Sequence, residues 1–155
     1  MLAMLLPILV FAQKKGDQEA TTLLLDNWHK AATEANLEAY FGALSEDAIF
    51  LGTDPSERWT KKQFYDFSEP FFKKGKAWDF KASQRNLVFS EDSRYAWFDE
   101  LLDTWMGTCR GSGVLKKVGK NWKIVQYNLT ITVPNDLTKD YLKILKEFTE
   151  KSKKE

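Results

Sequence analysis

Apolar positions follow a helical rhythm through the first half of the chain and an alternating one after Gly75. From Gln18 to Asn36 there is no Gly or Pro, and Leu24, Trp28, Ala31 and Ala35 recur on one face, which predicts a first helix. Leu37, Tyr40, Phe41 and Leu44 continue the spacing as a short second helix that ends near Ser45, weakened at Gly42. The compact run Ala48–Gly52 reads as a strand, and Thr53-Asp54-Pro55-Ser56 as a turn. Thr60 is a suitable N-cap for a third helix over 61–72, which Pro70 is expected to distort and Lys73-Lys74-Gly75 to stop. Four segments then follow that are rich in aromatic and β-branched residues: Trp78–Ser90, Tyr95–Met106, Arg110–Val118 and Trp122–Val133. Separated by turn residues, they read as antiparallel strands joined by hairpins. Pro134-Asn135-Asp136 opens a last helix with Leu137, Tyr141, Ile144, Leu145 and Phe148 on one face, before a charged tail.

Helices followed by a run of strands define an α+β domain in which the sheet buries one face on the helices. Long strands favour strong curvature, so the expectation is N-terminal helices packed into a curved antiparallel sheet, a cone with a central pocket. The first twelve residues, Met1–Ala12, are apolar and uncharged, too short to span a bilayer at the ~20 residues a helix needs, and end on a small residue. They read as a signal peptide removed on secretion or export to a periplasm, with no stable membrane anchor afterwards. The folded domain then covers residues 13–135, and residues 136–155 form a C-terminal helix and tail.

Composition narrows the chemistry. The 155 residues carry 23 Lys+Arg against 22 Asp+Glu, so a net charge of +1 offers no field for nucleic acid. Six Trp and eleven Phe supply material for a lined cavity. One Cys and one His exclude a disulfide framework, a Cys/His metal site and a Cys–His nucleophile, and no cofactor is expected.

The element order, together with Phe50-Leu51-Gly52-Thr53-Asp54-Pro55, Glu57, Trp59, Ala96-Trp97-Phe98-Asp99-Glu100, Arg110-Gly111-Ser112-Gly113-Val114-Leu115 and Trp122 to Leu129, resembles the SnoaL-like branch of the nuclear transport factor 2 superfamily. The resemblance spans about residues 18–134. It implies a cone-shaped fold with a deep pocket and a homodimer formed through the outer sheet face. It does not imply one chemistry, since the superfamily holds cyclases, isomerases, dehydratases and pocket proteins.

Candidate site residues follow from position. Asp54, Glu57 and Trp59 sit at the expected mouth, where Asp54 or Glu57 would serve as a general base if burial raised its pKa; turn capping is the simpler reading of Asp54. Alternation places Phe98, Glu100 and Leu102 on one strand face and Trp97, Asp99 and Leu101 on the other. An inward Glu100–Arg110 pair would bind a ligand or, equally, orient the hairpin. In the last strand Ile124, Gln126, Asn128 and Thr130 share a face, and the resemblance favours turning the two amides inward. Many relatives carry a histidine on that strand, whereas amides do not exchange protons near neutrality. Trp28, Trp59 and Trp97 are candidate walls. The single histidine, His29, has no evident partner and is read as a surface or capping group. The expected function is a secreted or periplasmic pocket protein that binds a small amphipathic molecule without catalysis. The alternative is a lyase or isomerase of the polyketide-cyclase or ketosteroid-isomerase type, with Asp54 or Glu100 as base.

Overall fold

The computed structural model describes residues 5–75 and 77–152, with side chains from Lys15 onward. Helix α1 (Leu5–Thr33) and the short α2 (Leu37–Gly42) lead into strand β1 (Leu44–Leu51). A three-residue strand β2 (Arg58–Thr60) and helix α3 (Lys61–Lys73) come next, followed by β3 (Lys81–Phe89), β4 (Tyr95–Thr104), β5 (Gly107–Val118) and β6 (Asn121–Ile131). A 3-10 turn, Asn135–Leu137, introduces α4 (Thr138–Ser152). The first four residues of the expected leader, and the side chains of the rest, lie outside the described residues; from Leu5 the backbone is helical and continuous with α1. No described helix is long and apolar enough to cross a membrane.

The six strands form one sheet in the order β2-β1-β6-β5-β4-β3. Three hairpin-linked pairs are antiparallel, as their alternation predicts, but β1 lies parallel to β6, with Phe50 opposite Tyr127, so the sheet is mixed rather than wholly antiparallel. A parallel neighbour needs a long crossover, and everything from β2 to β5 serves as one. Register shifts interrupt three of the ladders, and such bulges bend a sheet. The sheet curves around the helices without closing.

Local chemistry accounts for the helix ends. Thr60 accepts from the Gln63 amide while the Gln63 side chain accepts from the Thr60 amide, a reciprocal cap. Pro70 does not break α3, because in its last turn it removes one backbone bond near an end already short of partners. The buried stripe of α1 is Leu25, Trp28, His29, Ala31 and Ala32, displaced from the predicted one by about one residue. Trp28 stacks on Tyr40 with centroids 4.9 Å apart and meets Tyr127 edge-on at 4.6 Å. Full burial of side chains this large contributes ~1.5–3 kcal/mol each, which makes this cluster the centre of the core. Near the N-terminal end of the described side chains, buried Asp17 ties α1 to the β5–β6 hairpin by accepting from Lys117 and from the Trp122 indole N–H.

Helix α4 buries none of its residues and packs mainly on the 3-10 turn before it. The convex face of the sheet is also uncovered: Val88, Trp97 and Val114 are cross-strand neighbours in a row, with Trp97 49% exposed.

Candidate functional site

Between the helices and the concave sheet face lies a cavity of about 180 Å³. Its inner wall is formed by Trp28, His29 and Tyr40 from the helices and by Phe50 and Tyr127 from the central strands. Trp59 and Phe64 carry the wall outward in parallel stacks, with Phe50 and Phe64 3.8 Å apart and Trp59 and Phe64 5.7 Å apart. The mouth opens between the β1–β2 loop, which supplies Gly52, Thr53 and Glu57, and the β4–β5 turn, which supplies Trp105 and Met106. Trp105, 83% exposed, stands at the rim. An apolar cavity of about 150 Å³ holds a benzene ring, so this one has room for a single small molecule.

Behind the inner wall lies a buried charge network that sequence spacing did not foretell. Glu100 is 1% exposed. Its Oε1 accepts from His29 Nε2 at 2.7 Å and from the Tyr127 hydroxyl at 3.1 Å, and its Oε2 accepts from Arg85 Nε at 2.8 Å. Arg85 also donates to Asp26 at 2.7 Å, which closes a link between β4, β3 and α1. Burial is the strongest single influence on Glu100 and raises its pKa, but His29 and Arg85 together outweigh it and hold the carboxyl below its ordinary value. Burial, and then the neighbouring Glu100 charge, push the Tyr127 phenol well above its ordinary value. Gly111, opposite Glu100 in the β4–β5 ladder, makes room for this arrangement: a Cβ there would lie 2.2 Å from the Tyr127 hydroxyl and 3.1 Å from Glu100 Cγ.

Two polar groups on the cavity wall retain hydrogen-bonding capacity. The Tyr40 hydroxyl accepts from Trp78 Nε1 at 3.3 Å, and its own proton has no acceptor among the described residues. The buried Trp28 indole N–H likewise has no partner there.

The predicted site residues divide sharply. Trp28, Trp59 and Glu57 line the cavity, and Glu100 lies behind its wall in contact with His29. The other candidates do not reach it. Asp54 sits in the exposed turn after β1, accepts from the Ser56 amide and hydroxyl, and is held below its ordinary pKa by those bonds, the opposite of what a general base requires. Arg110 is on the convex face, opposite Leu101 and Thr130, and does not pair with Glu100; Arg85 takes that role from the neighbouring strand. Trp97 is on the same convex face, as alternation within β4 dictates once Phe98 and Glu100 point inward.

Gln126 and Asn128 also face outward, for a different reason. The β5–β6 register passes from Leu115 opposite Ile124 to Val114 opposite Gln126, so Val125 is an extra residue. This bulge reverses the alternation: Trp122 and Ile124 point inward before it, Tyr127 and Leu129 after it. Sequence spacing points to neither Arg85 nor His29; the usable signal for His29 is its place with Leu25 and Ala32 at spacings of four and three on a helix face, which predicts burial and hence a need for a partner.

A family model for the SnoaL-like domain matches residues 22–134, and the chain belongs to that family. No curated protein matches the chain. Among solved structures, it is similar to a protein from Novosphingobium aromaticivorans DSM 12444 given the provisional name scytalone dehydratase, at 12% identity and TM-score 0.66, covering 79% of this chain and 89% of that one. An NTF2-like protein of unknown function from Pseudomonas putida KT2440 superposes with TM-score 0.64 at 11% identity over 79% and 90%. An NTF2-like protein from Cytophaga hutchinsonii ATCC 33406 does so at 0.63 and 17% over 74% and 98%. At these identities the likeness concerns the fold, and it places the curved sheet and its helices in the cone-shaped NTF2-like class.

Proposed function

We propose that this protein binds one small, largely apolar molecule in the aromatic cavity, without transforming it. The observation that carries this reading is the cavity itself: about 180 Å³, walled by aromatic rings and reaching solvent at Trp105 and Thr53. A mostly apolar pocket with a few oriented polar groups is the usual form of a small-molecule site. Calorimetric titration with indole tests it. Saturable one-to-one binding is expected, lost in Trp59→Ala, and absence of binding to the wild type overturns it.

One observation favours a second reading, a lyase or isomerase: His29 lines the cavity and is hydrogen-bonded to Glu100 at 2.7 Å. Glu100 itself, with no side-chain exposure, does not touch a ligand. It would orient the imidazole, leaving His29 Nδ1 as the nitrogen able to take a proton. Deuterium exchange at the α-carbon of a cyclic ketone separates the readings: acceleration by the wild type and not by His29→Gln supports the enzyme, and no acceleration leaves the binder.

The proposal extends to location and assembly. Export to a periplasm or to the outside is supported by the uncharged apolar run Met1–Ala12, and an intact mass beginning at Gln13 is expected. Pairing of two copies through the convex sheet face is supported by the row Val88, Trp97 and Val114, of which Val88 and Trp97 are exposed.

A further inference from the structure

We infer that the cavity selects a small organic cation, of the quaternary ammonium class, over its neutral isostere. This inference rests on the binding reading above and names the ligand class for that site.

The lining of the cavity contains one carboxylate, Glu57, no Lys or Arg, and one imidazole, His29, whose Nε2 is engaged by Glu100. Glu57 is half-buried, and its side chain is laid over Gly52, where an added Cβ would fall 2.0 Å from Oε2. The residue at 52 must therefore lack a side chain for the carboxylate to occupy that place. Its hydrogen bond is from the Asp54 amide at 3.2 Å, and it forms no ion pair among the described residues. Arg58, next in sequence, is exposed on the opposite side of β2 from the inward Trp59 and does not neutralise it. The other carboxylate nearby, Glu100, has its charge compensated by Arg85 and has its oxygens taken by His29, Tyr127 and Arg85.

The rings complete the case. Trp59, Trp78 and Trp105 line the cavity with Phe67, Tyr40 and Tyr127, and their π faces carry negative potential. A methylated ammonium ion has an apolar surface that tolerates such walls and a diffuse charge that they attract, with an uncompensated carboxylate at the entrance. An anionic ligand would meet the Glu57 carboxylate at the entrance with no Lys or Arg in the lining to offset it.

The test compares choline with 3,3-dimethylbutan-1-ol, in which a quaternary carbon replaces the nitrogen, by calorimetry on the full chain. Choline is expected to bind at least about tenfold more tightly than the neutral alcohol, with Glu57→Gln weakening choline about tenfold and leaving the alcohol unchanged. If indole binds and choline binds no better than the alcohol, the cation inference is overturned while the binding reading stands. If none of the three binds, both are overturned. The comparison on the wild type needs no variant, so it decides the matter even where Glu57→Gln alters folding.

Discussion

Replacing Glu100 by Gln removes a charge from the centre of the fold while changing almost no volume, which makes the consequence calculable. Three donors converge on the carboxylate: His29 Nε2, the Tyr127 hydroxyl and Arg85 Nε. A glutamine keeps one oxygen acceptor and turns an NH₂ group toward a remaining donor. Arg85, whose side chain is 10% exposed, would keep only Asp26 and the Thr22 carbonyl. Removing one partner of a buried pair costs ~3–5 kcal/mol, and the surviving Asp26 contact places this case near the lower end, about 3 kcal/mol.

Urea unfolding followed by tryptophan fluorescence measures it, with an unchanged m-value showing that stability alone has moved. The loss has a defined pH dependence. Because Glu100 is held below its ordinary 4.5, its ionised form stabilises the fold above that pH, and the contribution fades as the pH falls below 4.5 through the depressed value. The difference between wild type and variant should therefore be full at neutrality and shrink in acid. A loss under about 1 kcal/mol at neutrality, or one that does not change in acid, refutes the buried network.

Gly111→Ala should cost about 3 kcal/mol in the same assay, since its Cβ meets the Tyr127 hydroxyl at 2.2 Å and must break the bond to Glu100; an unchanged urea midpoint counts against the packing described. Truncation after Pro134 should move the thermal midpoint by no more than the ~2–4 °C that 1 kcal/mol produces in a domain of this size, because α4 buries no residue. A larger fall measured by calorimetry would show that the helix has a partner. Light scattering should find a dimer for the wild type and a monomer for Trp97→Glu, and a monomeric wild type refutes pairing through the convex face. Asp54→Asn should leave indole affinity unchanged, because that carboxylate is engaged with Ser56 outside the cavity.

The features legible in the order of residues are those that depend on near neighbours. The capped α3, the hairpin strands, the inward set Phe98, Glu100 and Leu102, and the turn role of Asp54 are consequences of period, capping and turn chemistry over a few residues. Which groups meet is set by long-range packing. His29 and Glu100 are 71 residues apart and Arg85 approaches from a third element, so no local spacing relates them. The parallel pairing of β1 with β6 is likewise a long-range choice. The bulge at Val125 is the sharpest instance: a strand's side chains alternate with period two, so one unpaired residue turned Gln126 and Asn128 outward and set Tyr127 against Glu100.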